Sequence, residues 1–156
     1  MVEEQQAQVC QVKIVVDTNI FISALLNPKG NELELLMNPW AKGIFYTCDF
    51  LRKETLKNKK KIIRLSRLNE TDLLNLIMKV SGRMNFLNEE QIPETAWREA
   101  YAYTKDVDES DTAFMALTLY LRGFLWTGDK KLIKGLAARG FKNVKTTRQV
   151  KKLIAQ

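Results

Sequence analysis

The chain has 156 residues, 25 lysines and arginines against 18 acids, a net charge of +7, a pI near 9.4 and no histidine. One domain is the expectation at this length, with a core large enough to need no disulfide or metal staple. The missing imidazole excludes Ser-His-Asp triads, Cys-His pairs and histidine-ligated metals, leaving the chemistry to carboxylates, amines, hydroxyls and two cysteines.

In chain order, residues 1–11 are polar, carry Glu3 and Glu4, and read as an extension ahead of a single domain over 12–156. They contain neither a basic nor an apolar region of the signal-peptide kind. Residues 12–16 are β-branched and apolar on both faces, which predicts a buried parallel strand. Apolar positions 21, 22, 25 and 26 predict a helix ending near Asn27-Pro28, followed by a short helix over 32–37 that Pro39 stops. A second strand is predicted over 44–47, with Asp49 placed to cap one basic helix running to about Lys61. Asn69, with Asp72 three residues on, marks a helix start, and Gly82 its stop. Helices are expected over 95–104 and 110–122, the second closed by Gly123. Residues 124–127 read as a strand, 130–139 as a helix before Gly140, 143–146 as a last short strand and 147–155 as a last helix. Strands separated by helices imply right-handed βαβ units and a parallel sheet covered on both faces, a three-layer α/β/α sandwich.

The longest uncharged apolar-rich run, 112–121, is too short to cross a membrane. Cys10 and Cys48 fit no disulfide framework or zinc spacing, so both read as free thiols of a cytoplasmic protein, Cys48 as a small buried hydrophobe. Trp40, Trp97 and Trp126 are expected to anchor the core or an interface.

Charge is unevenly spread. Residues 52–67 hold eight basic side chains against Glu54, and residues 129–152 hold nine against Asp129. Residues 89–111 reverse the sign, with eight acids against Arg98 and Lys105. Two basic segments suit a polyanion, since neutralising phosphates releases counterions. Lys57, Lys60, Lys61, Arg64, Lys130 and Lys131 are the candidate nucleic-acid contacts.

Ligands of open parallel sheets bind beyond the carboxyl ends of the strands. Asp17 follows the first strand, Asp129 follows the strand at 124–127 after Gly128, Asp111 sits at the start of an uncharged helix, and Glu54 lies in the helix after the second strand. If the strands ending at 16 and 127 are neighbours, these four carboxylates converge. Two carboxylates ~5 Å apart repel by roughly 3 kcal/mol at an effective dielectric of ~20, so the cluster must take up protons or cations. Oxygen-only ligands favour Mg²⁺ or Mn²⁺, one or two ions, which activate water and offset the charge building on a phosphodiester.

Val16-Asp17-Thr18-Asn19, Glu54 beyond Thr47-Cys48, the run from Asp108 to Phe114, and the run from Trp126 to Leu132 together resemble the PIN domain family in order and in element context. The resemblance covers about residues 12–150. It implies a PIN-like α/β/α fold, Mg²⁺/Mn²⁺-dependent cleavage of RNA, and often the toxin role of a toxin–antitoxin pair of the VapC type, with an antitoxin and a homodimer as further partners. Carried over by position, Asp17, Glu54, Asp111 and Asp129 are the catalytic metal ligands, and Asp108 is an additional candidate that also suits a helix cap. Asn19 and Thr127 are polar supports. Asp49 competes with Glu54 as the helix-borne acid. The acidic stretch before Asp108 has no counterpart in the pattern. Two alternatives differ in class. A non-catalytic nucleic-acid-binding module would use the basic segments alone. A haloacid-dehalogenase-like phosphatase needs acids where this chain has Asn19 and Ile133.

Overall fold

In the computed structural model, which describes residues 12–41 and 43–155, Ile14, Val15 and Val16 are completely buried and form the central strand β1 (Ile14–Val16). A run apolar on both faces takes this place because helices cover the sheet above and below. The chain continues through α1 (Thr18–Leu26), α2 (Asn31–Leu36), β2 (Phe45–Cys48), α3 (Phe50–Lys57), α4 (Lys59–Ser66), α5 (Glu70–Ser81) and β3 (Asn85–Leu87). It returns through α6 (Glu94–Thr104), α7 (Thr112–Leu121), β4 (Phe124–Trp126), α8 (Lys130–Ala138), β5 (Val144–Lys145) and α9 (Thr147–Ile154). Short 3₁₀ turns occupy Pro39–Ala41, Glu89–Gln91 and Glu109–Asp111.

All strand pairs are parallel, in the order β3-β2-β1-β4-β5. Val16 stands opposite Trp126, so the first and fourth strands end side by side. The chain steps outward from β1 to β3, then crosses back to β4 and β5, so right-handed crossovers put α1–α5 on one face and α6–α8 on the other. The two layers follow: α7 packs on β1, β2 and β4 and against α6, while α1 touches α2, α3, α4 and α5. The fold is the expected three-layer α/β/α sandwich. No helix among the described residues is long and apolar enough to cross a membrane.

Several local expectations need correction. The strand β3 is not anticipated by the sequence pattern; it is three residues long and exists through its pairing with β2, where Thr47 faces Phe86. The expected single basic helix is two helices broken at Asn58, whose side-chain amide donates to the Glu54 carbonyl at 2.8 Å alongside its own backbone N–H at 3.1 Å. Asp49 does not cap α3 with its side chain; the Glu89 carboxylate accepts from the Phe50 amide at 2.5 Å instead. The helix α7 ends on Arg122 in the left-handed region, φ 55°, rather than on Gly123. Gly123 is needed one residue later, where a Cβ would stand 2.4 Å from the Lys13 carbonyl oxygen. Trp126 is fully buried, but Trp40 is 92% exposed and anchors no core. Cys48 is buried, and burial first, with the Glu89 charge second, pushes its thiol up to about 12. Cys10 and the 1–11 extension lie outside the described residues.

Candidate metal centre

The strand order reverses between β1 and β4, and the segments leaving their carboxyl ends border one crevice. Around it, the backbone is tied from both sides. The Asp17 amide donates to the Trp126 carbonyl at 3.4 Å, and the Thr47 hydroxyl donates to the Val16 carbonyl at 3.0 Å.

Asp17 is the N-cap of α1. Its Oδ1 accepts from the Ile20 amide at 2.9 Å, which leaves the side chain buried and aimed along the sheet edge. Its Oδ2 is buried and makes no hydrogen bond of acceptable geometry. Burial pushes the carboxyl up to about 6; the nearby Thr127 hydroxyl and the Ile20 amide work against this, and Asp129 and Glu54 add like-charge repulsion. Asp111, at the junction of the 3₁₀ turn and α7, is pushed up to about 7. Burial again comes first, followed by repulsion from Asp108, Asp17, Asp129 and Glu54. Five carboxylates therefore share one electrostatic neighbourhood.

Within it, Asp108, Asp111 and Asp129 each present an oxygen, and these atoms lie within 4.8 Å of one another. Asp129 caps α8 through Oδ1, which accepts from the Lys131 amide at 3.0 Å and the Leu132 amide at 3.2 Å. Asp108 Oδ1 accepts from the Ser110 amide at 3.0 Å and its hydroxyl at 2.6 Å. Glu54 Oε1 accepts from the Thr18 hydroxyl at 2.5 Å, linking α3 to the start of α1. Asp49 instead pairs with Arg52 at 2.8 Å. Thr127 is fully buried, and its hydroxyl accepts from the Asp129 amide at 3.2 Å. Asn19 is exposed and borders a shallow depression with Gly128, Asp129 and Glu32.

Glu32 is an acid that sequence reasoning passes over. Its Oε1 accepts from the Thr147 hydroxyl at 3.3 Å, and Thr147 also accepts from the Trp126 indole at 3.1 Å. The partner lies 115 residues away in sequence, and nothing about Glu32 in its own helix announces that contact. Lys57, Lys60, Lys61 and Arg64 are exposed on α3 and α4, and Lys130 and Lys131 are exposed in the first turn of α8 beside Asp129.

The residues present fit a hard divalent cation. The donors are all carboxylate oxygens, one of them a buried oxygen without a partner, and burial together with the neighbouring acids raises Asp17 to about 6 and Asp111 to about 7, a cost a bound cation would relieve. Thiolate or imidazole ligands are absent from the cluster, which disfavours zinc.

A family profile described as "PIN domain" matches residues 15–153. Over 127 residues the chain is 31% identical to Uncharacterized protein MJ1680 of Methanocaldococcus jannaschii, covering 79% of this chain and 74% of that protein. The chain belongs to the PIN domain family, with the nuclease-type fold and the acidic cluster that go with it.

Proposed function

We propose that this PIN domain protein is a metal-dependent endoribonuclease that hydrolyses RNA phosphodiester bonds, with Asp17, Glu54, Asp111 and Asp129 as the catalytic metal ligands and Asp108 as a fifth. The observation that carries the reading is the meeting of Asp108, Asp111 and Asp129 oxygens within 4.8 Å of one another, with the buried Asp17 Oδ2 and Glu54 in the same electrostatic neighbourhood. Mg²⁺ or Mn²⁺, when bound, supplies the Lewis acidity that activates water and offsets charge at the phosphate. The chain's own groups do the positioning. The Ile20 amide fixes the Asp17 carboxyl, Thr18 fixes Glu54, and Thr127 holds the backbone from which Asp129 projects. Lys130 and Lys131, exposed beside Asp129, contact the phosphate backbone, with Lys57, Lys60, Lys61 and Arg64 extending the contact along α3 and α4. Asn19, at the rim, orients a carboxylate or a water.

The proposal extends to the toxin role of a VapC-like toxin–antitoxin pair in the cytoplasm, with an antitoxin protein and a second copy of the chain as partners. An adjacent small gene encoding a DNA-binding antitoxin would support that part. The nuclease reading is tested by incubating purified protein with mixed structured RNAs in Mg²⁺, Mn²⁺ or EDTA. Cleavage is expected with either metal and not in EDTA, and Asp17→Asn should lower it by about 10²–10³-fold, the loss typical of one electrostatic stabiliser. RNA binding without metal-dependent cleavage would instead identify a non-catalytic binding module.

A further inference from the structure

The acidic stretch that the family pattern leaves unexplained builds one wall of a cavity of about 470 Å³ beside the carboxylate cluster. The cavity shares the 3₁₀ turn at Glu109–Asp111 with the cluster, since Ser110 lines it while its hydroxyl donates to Asp108 at 2.6 Å. Phe50 and Lys53, on the same helix as Glu54, also line it. Two aromatic rings, Phe50 and the half-buried Trp97, face the space. Phe50 is held by a tilted contact with Phe114, 6.0 Å between ring centroids. Glu89, Glu90 and Glu109 supply three carboxylates against the single ammonium of Lys53. Their scaffold is rigid: Asn88 and Gln91 form a reciprocal capping box around the Glu89–Gln91 turn, and one Glu89 oxygen is committed to the Phe50 amide.

This lining decides what fits. Three carboxylates repel a phosphate, so the cavity is not a continuation of the backbone track that the lysines provide. Aromatic faces stack on a flat uncharged ring, and ionised carboxylates only accept hydrogen bonds, so the ring must carry N–H donors on its edge. Guanine places an imino N–H and an exocyclic amine side by side, matching one carboxylate with two hydrogen bonds. Adenine and cytosine offer only the amine, and uracil only the imino group. The volume suits a purine.

We infer that this cavity is a nucleobase subsite that seats an unpaired guanine of the RNA next to the scissile phosphate, stacked on Trp97 and Phe50 and read by the glutamates of residues 89–109. The inference rests on the ribonuclease reading for its substrate and adds the base preference of the site. It concerns single-stranded segments, because a base paired within a duplex cannot present that edge.

The test measures binding of the full chain, in EDTA so that nothing is cut, to labelled octaribonucleotides by fluorescence anisotropy. The strands contain one central G, inosine or A in an otherwise identical adenine context. A preference of about tenfold for G over A is expected, corresponding to the extra hydrogen bond and its geometry. Inosine, which lacks the exocyclic amine, should lose most of it. Glu89→Gln keeps an acceptor for the Phe50 amide, and Trp97→Ala removes the stacking face; with folding checked by circular dichroism, Trp97→Ala should weaken all three strands, and glutamine at 89, 90 or 109 should bring G down toward A. Equal binding of G, inosine and A by a protein that still cleaves RNA with Mn²⁺ overturns the subsite and leaves the nuclease standing. A retained G preference in a protein that never cleaves supports the subsite and overturns the nuclease reading.

Discussion

At Asp17 a helix cap and a proposed metal ligand are the same side chain. One oxygen is committed to the Ile20 amide, and the other is buried without a partner. An acid whose folded-state pKa is raised holds its proton more tightly folded than unfolded. The stability it contributes is therefore complete below about pH 4 and is lost as pH rises through the folded values, about 6 for Asp17 and about 7 for Asp111. Metal-free protein should accordingly lose stability between pH 4 and 8, by on the order of 3 kcal/mol for Asp17 alone. Asp17→Asn should flatten that slope and raise the melting temperature in EDTA at pH 8 while abolishing stabilisation by Mn²⁺. Thermal melts across pH, with and without Mn²⁺, check this; a variant that melts lower than the parent at pH 8 in EDTA would contradict it.

At the level of elements, the site depends on β1 and β4 lying in register, and Gly123 is what permits it. The Phe124 amide donates to the Lys13 carbonyl at 2.9 Å, and a Cβ on Gly123 would press into that same oxygen at 2.4 Å. The obstacle is backbone, which cannot rotate away as a flexible side chain would. Gly123→Ala should cost about 2–4 kcal/mol, read as a lower urea midpoint at unchanged slope. An unaltered midpoint would mean that the two strands are not held as closely as described. The same level shows where local pattern runs out. The strands β1 and β4 are legible because consecutive buried positions, all three in β1 and the last two in β4, leave an apolar run, whereas β3 is an exposed-to-half-buried Asn-Phe-Leu that becomes a strand only by docking on β2. The break at Asn58 has no glycine or proline to announce it. It accompanies α3 and α4 each packing on α1, with the Asn58 side-chain amide and backbone N–H both donating to the Glu54 carbonyl.

Across the whole molecule, charge is sorted by element. Basic residues collect on α3, α4, α8 and α9, whereas Asp108 and Asp111 border the crevice and Glu89, Glu90 and Glu109 line the cavity beside it. RNA affinity should therefore fall linearly with salt on a double-logarithmic plot, by roughly 0.7 for each phosphate neutralised on a single strand. Replacing Lys60 and Lys61 together by glutamate should weaken binding and reduce that slope by about 1–1.5, measured by anisotropy across a salt series. A slope that stays the same would move the contact away from α4. The lone acids inside the two basic segments, Glu54 and Asp129, have opposite fates to their neighbours: both turn inward, Glu54 to Thr18 and Asp129 to the α8 amides.

The sequence by itself determined the alternation of strands and helices, the parallel sheet that follows from it, and the position of each acid relative to the end of a strand or the start of a helix. Those properties are local, set by side-chain periodicity and capping within a few residues. Only the tertiary structure decided that Glu54 lies near enough to Asp17 and Asp111 to repel them while Asp49 pairs with Arg52, that Asp108 joins Asp111 and Asp129, and that Glu89 rather than Asp49 caps α3. Each of those outcomes depends on groups dozens of residues apart meeting across the sheet edge. Burial and repulsion there are properties of the assembled crevice, and no single segment carries them.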